Sequence, residues 1–343
     1  MPTRRQMIRD SAAGLLIATV AGAPLARAQG TGAQGTGAQV TGAPVVNKTL
    51  RVVVGFPAGG GTDMLARILA DKLKGSVAPA TVVENRAGGA ARIATEFVKN
   101  ADADGSTLLF TPDFPITVYP FSFRSLTYDP VKDFKPVAPA AKSALVLSIG
   151  PAVPASVKTL AGFLDWCKAN LDKATFATTA AGGTPHFAGL MLSQAAKVAM
   201  TPVHYKGGAP ALQDLIGGHV ASSINPVGEA APFVKGGQIR VLAVSSAGRS
   251  PFLPDVPTFK EGGHDVVVDV WLGVLAPAKT PDATVTALNA AIRDAFAAPD
   301  AKEKLATLGN EPFYQTPAEF AATIAADLKR WEPIIKASGF VAD

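Results

Sequence analysis

Phe56-Pro57-Ala58-Gly59-Gly60-Gly61-Thr62-Asp63 decides the reading of this chain. Ahead of it, Arg51 to Phe56 reads as a buried strand. Behind it, Asp63 to Lys74 places Met64, Leu65, Ile68, Leu69 and Leu73 on one face of a helix. A glycine-rich turn between strand and helix lets a ligand approach backbone N–H groups that the first helical turn leaves unpaired, and such a helix start favours an anion. Thr62 is the expected N-cap. No Lys-Ser or Lys-Thr pair closes the turn, so it is not a nucleotide P-loop. Gly59, Gly60, Gly61 and Thr62, flanked by Phe56 and Asp63, are therefore expected to line a ligand site.

A second turn of this kind, Thr178-Thr179-Ala180-Ala181-Gly182-Gly183-Thr184-Pro185-His186, has Thr184 as expected N-cap and Pro185 at the first helical position. Gly183, Thr184 and His186, the last as a donor to a carboxylate or to water, join the expected site. Two anion-friendly helix starts far apart in sequence suit the two walls of one cleft. A third turn, Tyr205 to Ala211, leads into a helix that Gly217 and Gly218 end, with Lys206 read as solvated.

Further strand candidates are 81–84, 107–111, 144–149, 175–178, 201–204, 221–224 and 239–244. Helical patterns follow at 281–296, 301–308 and 317–336. Alternating strands and helices predict an α/β fold with a mostly parallel sheet. The Pro-rich breaks at 151–154 and 254–257 suggest passages between two lobes. We expect one lobe from 48–148 plus 269–343 and the other from 149–268.

The first residues differ from the rest. Arg4, Arg5 and Arg9 precede an apolar run from Ala12 to Leu25, then Ala26-Arg27-Ala28, which reads as a signal peptide over 1–28 of twin-arginine type, cleaved after Ala28. It carries four Arg and one Asp, so its removal leaves a formal charge of +2 in place of +5. The basicity is thus largely the signal, and nucleic-acid binding is not expected. Residues 29–47 read as a flexible leader, whose G-x-G-x-x-G at Gly30, Gly32 and Gly35 lacks the strand and helix of a dinucleotide site. The single Cys167 reads as a small core residue, and one Cys with four scattered His offers no zinc spacing. We expect no metal and no cofactor.

Five segments, F-P-A-G-G-G-T-D (56–63), V-V-E-N-R (82–86), Y-D-P-V-K-D-F (128–134), Y-K-G-G-A-P-A-L-Q-D-L-I-G-G (205–218) and S-P-F-L-P-D-V-P-T (250–258), resemble in order those of tripartite tricarboxylate transporter receptors, the Bug family of periplasmic solute receptors. The likeness runs from about Thr49 to Gly339. It implies a type II periplasmic-binding fold of two α/β lobes, in which loops matching Gly59–Thr62 and Gly182–His186 hold a ligand carboxylate through backbone groups and bridging waters. The chain departs from the family's pattern at Thr111-Pro112-Asp113-Phe114, at Ala90-Ala91-Arg92, at Asn225-Pro226 and at Glu229. Arg92 has the planar fork for bidentate carboxylate pairing, and Asp113 is placed to pair with it or to receive a ligand amine. Arg92, Asp113 and Asn225 complete the expected ligand-binding set. Phe56, Phe114 and Trp271 are candidates to stack on an aromatic acid.

The resulting expectation is a non-enzymatic, monomeric receptor in the periplasm that closes on a dicarboxylate, an aromatic acid or an amino acid and delivers it to permease subunits. A co-receptor for a sensor kinase is the alternative within the same fold. An exported hydrolase would have to assemble His186, Ser223 and Asp113.

Overall fold

The computed structural model describes residues 45–343. The expected signal peptide lies outside the described residues, as does the leader up to residue 44. The leader's end does not fit a flexible segment. Val46 is buried and donates its N–H to Val77 O at 2.9 Å, because its apolar side chain joins the core.

The strands are β1 (Leu50–Val54), β2 (Thr81–Asn85), β3 (Thr107–Pro112), β4 (Phe134–Ile149), β5 (Thr175–Thr178), β6 (Thr201–His204), β7 (Ser222–Pro226), β8 (Arg240–Val244), β9 (Asp269–Pro277) and β10 (Glu311–Pro312). The helices are α1 (Gly61–Leu73), α2 (Arg92–Lys99), α3 (Phe114–Thr117), α4 (Tyr119–Ser122), α5 (Leu160–Ala169), α6 (Thr184–Ala196), α7 (Gly208–Ile216), α8 (Val227–Lys235), α9 (Asp282–Ala297), α10 (Pro299–Thr307) and α11 (Pro317–Ser338). One sheet runs β2-β1-β3-β9-β4-β7-β5-β6, with β8 and β10 also paired to β4.

Helical crossovers make both ends of this sheet parallel, β1 with β2 and β3, and β5 with β6 and β7. The middle corrects the expectation of a mostly parallel sheet. β9 runs antiparallel to both β3 and β4, and β4 is antiparallel to β7 and β8. β4 is also longer than its predicted span of 144–149. Its first ten residues include Pro136 and Pro139, which cannot donate to a ladder, and the register against β9 shifts between Pro136 and Ala138 and again between Pro139 and Ala141. Irregular pairing is how a proline-bearing segment stays in a sheet.

The long β4 joins two halves. Phe134 to Ala144 pair with β9, and Leu145 to Ile149 pair with β7. The partner change falls inside β4, ahead of the Pro151–Pro154 turn. The chain returns where Val268 donates to Ser245 O at 2.8 Å and Asp269 pairs with Ala144. The turns after β1 and β3 belong to one half, and those after β5 and β7 to the other. Cys167 is buried in α5 within an apolar cluster, where burial pushes its thiol up to about 12. Among the described residues no helix is long and apolar enough to cross a membrane, and no cluster of His, Cys, Asp and Glu could hold a metal ion.

Candidate functional site

The first turn is held by its own acid. Asp63 is buried, and its Oδ2 accepts the Gly59 N–H at 2.8 Å and the Arg67 Nε–H at 2.9 Å, while Oδ1 accepts from Asn85 Nδ2 at 2.9 Å. Asn85 also donates to Phe56 O at 3.0 Å, tying the end of β2 to the turn. Burial pushes the Asp63 carboxyl up, but the bonds from Arg67, Gly59 and Asn85 outweigh it and hold it below the usual carboxylate range. Gly59 has φ +87°, so only glycine sits there without strain.

Thr62 is not the N-cap. Gly60, extended at φ −79° and ψ 166°, takes that position with no side-chain cap, and α1 starts at Gly61. The second turn repeats the correction. Gly183 is the N-cap of α6, Thr184 opens the helix and Pro185 is its second residue. In both turns a glycine enters the helix on backbone conformation alone, which frees the threonine hydroxyl. Thr184 spends its hydroxyl on Asp113, with Oγ1 donating to Oδ2 at 2.5 Å from the other half of the molecule.

That bond is one of several contacts between the first half and the second turn. A Cβ on Gly183 would stand 3.5 Å from Phe114 Cγ, and Phe56 meets Phe114 edge-on with centroids 6.0 Å apart. Ser122 donates to Gly182 O at 3.1 Å. From the second half, the Glu229 carboxyl reaches the start of α1, where a Cβ on Gly61 would lie 4.0 Å from Oε1. A Cβ on Gly208, the first residue of α7, would collide with the same carboxyl. Glu229 itself sits in the first turn of α8, so three helix starts converge on one acid.

Asp113 and Glu229 form a reciprocal pair of placements. Asp113 comes from the end of β3 and stands on the first turn of α6; Glu229 comes from α8 and stands on the first turn of α1. Asp113 is 1% exposed, and its Oδ1 has no hydrogen-bond partner; Glu229 Oε2 is likewise buried and unpartnered. Neither pairs with a Lys or Arg among the described residues. Burial pushes Asp113 up to about 7, with the Thr184 bond opposing, Asp327 adding and Arg330 opposing from α11. Burial also pushes Glu229 up to about 7, partly offset by the Asn225 amide. Asn225 is fully buried in β7, its Oδ1 accepting from Ser223 Oγ at 3.1 Å and its Nδ2 unpartnered.

The other expected residues lie elsewhere or are already engaged. Arg92 does not pair with Asp113. Its Nε donates to Gly89 O at 3.0 Å and its guanidinium lies 4.1 Å from the Phe123 ring centroid. His186 accepts the Gly182 N–H on Nδ1 at 3.2 Å and packs edge-on against His204 and Phe340. Burial, with His204 adding, lowers it to about 3, so the ring is neutral and braces the turn. Trp271 is a core residue that packs on Phe320 and donates to Asp327 at 2.9 Å. Lys206 is exposed. The hydrolase constellation does not assemble, because His186, Ser223 and Asp113 bond to Gly182, Asn225 and Thr184 rather than to one another. Sequence reasoning marked Glu229 as a departure but could not place it. Nothing local says that its carboxyl reaches α1 and α7.

Residues 65–340 match the family described as Tripartite tricarboxylate transporter family receptor. The chain is 32% identical to Protein BugT of Bordetella pertussis over 294 residues, covering 85% of this chain and 90% of that protein. Among solved structures it is similar to Rpa4515 of R. palustris with adipate, at 31% identity and a TM-score of 0.81, covering 86% of this chain and 98% of that one. It is also similar to MatC (Rpa3494) from Rhodopseudomonas palustris with bound malate, at 30% identity and a TM-score of 0.77, covering 84% and 99%. These neighbours share the two-lobed α/β fold of periplasmic solute-binding proteins. The comparisons lend no support to the sensor-kinase alternative.

Proposed function

Because this chain belongs to the tripartite tricarboxylate transporter receptor family, we propose that it captures a small carboxylate-bearing solute in the periplasm and delivers it to membrane permease subunits, without chemistry on the solute. The two halves of the sheet act as lobes, and closure brings the first turns of α1 and α6 onto the ligand. The observation that carries this reading is that the second half reaches the first at both turns, Thr184 bonding Asp113 beside the Phe56–Phe114 pair and Glu229 lying against Gly61. The first-turn N–H groups at such helix starts are donors for a carboxylate, and each charge-assisted bond contributes on the order of 1.5 to 3 kcal/mol before ordering costs. The neighbouring solved structures hold adipate and malate, both carboxylates. Export rests on the reading of residues 1–28 as a signal peptide.

Thermal unfolding of the chain from residue 29 onward, against a panel of small carboxylates with amine and sugar controls, tests the proposal. A ligand at a hundred times its Kd stabilises the native state by about 2.7 kcal/mol. A raised midpoint with one or a few acids is the expected result. A midpoint that moves only with a sugar or a simple amine would remove the carboxylate reading. Small-angle scattering with the stabilising acid should show compaction, and an unchanged radius would argue against closure.

A further inference from the structure

We propose that Asp113 and Glu229 form a donor-accepting subsite that selects a carboxylate ligand carrying an ammonium group over a dicarboxylate. The inference rests on the receptor reading above and deepens it. Its basis is that each wall of the junction already holds a carboxyl of the chain. Glu229 stands against the starts of α1 and α7, and Asp113 stands on Thr184 at the start of α6. A second anion placed beside either acid meets like charge at short range once that acid is ionised. A ligand with two carboxylates meets it at both ends.

The same two acids each leave one oxygen without a donor, Oδ1 of Asp113 and Oε2 of Glu229, in surroundings that exclude water. A buried acceptor with no partner is costly, and a buried carboxylate is held favourably only when a cation or several donors reach it. No Lys or Arg among the described residues does so. The ligand is then the source of the donor, and an ammonium supplies three N–H groups and a charge of the right sign. Its nitrogen bonds the open oxygen of Asp113 or of Glu229, and its single carboxylate takes the remaining first-turn N–H groups at the other acid's distance from that nitrogen.

The test is calorimetric titration of the chain from residue 29 onward with two matched pairs, adipate against 6-aminohexanoate and succinate against 4-aminobutanoate, repeated on Asp113→Asn and Glu229→Gln. Within each pair the two ligands differ at one end only. We expect the amino member to bind at least about tenfold more tightly in one or both pairs, and Glu229→Gln to erase or reverse that preference. Both replacements keep shape, so a folded variant that has lost the preference speaks to charge; should one fail to fold, the other carries the test. Tighter binding of the dicarboxylate in both pairs, unaltered in the variants, would overturn the subsite while leaving a carboxylate receptor intact. Failure of all four acids, together with no response in the wider carboxylate panel, would overturn both.

Discussion

Thr184 donates its hydroxyl to Asp113 across the junction of the two halves at 2.5 Å, the only hydrogen bond found for that buried carboxyl among the described residues. Replacing Thr184 by Val keeps the shape and removes the donor, leaving both oxygens of Asp113 unpaired. The variant should lose about 1 to 3 kcal/mol in urea unfolding at pH 8. A midpoint within error of the parent would show that the bond contributes nothing net.

The two raised acids give stability a defined pH dependence. Asp113 titrates at 3.8 when unfolded and about 7 when folded, so between these values the folded state holds a proton that the unfolded state has lost. This group therefore favours folding at low pH and weakens it as pH rises from about 4 to about 7, by on the order of a few kcal/mol in total. Glu229 acts in the same direction. Asp113→Asn, measured without ligand, should gain stability relative to the parent as pH rises through that window. A parallel pair of stability–pH curves would contradict the placement of this acid.

His186 slopes the other way. Its folded value lies near 3 against an unfolded 6.5, so it contributes stability above pH 6.5 that is lost as pH falls toward 3. In His186→Gln the amide oxygen can still accept the Gly182 N–H, and nothing titrates. The difference between variant and parent should shift in the variant's favour below pH 6, as read by chemical denaturation at successive pH values.

Asp63 fastens the first turn, so Asp63→Ala should release Gly59, Arg67 and Asn85 together. We expect a loss of about 2 to 3 kcal/mol in unfolding free energy. Affinity for the stabilising acid should fall as well, because the turn is no longer preorganised. Loss of stability with unchanged affinity would separate the turn from the ligand.

Ala90 and Ala91 have φ of 53° and 71°, a left-handed pair of non-glycine residues ahead of α2. A left-handed L-residue costs roughly 1 to 2 kcal/mol, and the added freedom of glycine in the unfolded chain offsets part of that. Ala90→Gly should therefore raise the thermal midpoint, by up to about 1 kcal/mol in stability. A lowered midpoint would mean that the Ala90 methyl's packing outweighs the strain.

Local chemistry was legible wherever one element is built from its own residues. The βα periodicity found both parallel ends of the sheet, and 175–178 and 201–204 coincide with β5 and its neighbour β6 at every residue. The glycine-rich turns at 56–63 and 182–186 were also visible, because glycines between a strand pattern and a helix pattern leave few alternatives. The hydroxyl residues within them misled, since Thr62 and Thr184 have capping chemistry but glycine backbones took the caps. The long antiparallel β4 was only half visible, because its prolines deny it the donors that mark a strand until β9 supplies a partner with shifted register.

The sequence by itself determined the glycine-rich turns, which depend on near neighbours, and the family resemblance, which depends on the order of short segments along the chain. Tertiary structure alone decided which acids meet those turns. Asp113 and Thr184 are 71 positions apart, and Glu229 is farther still from Gly61. A carboxyl's partner and its protonation depend on what folding packs around it and on the water that packing removes, and no local pattern of residue types carries that information.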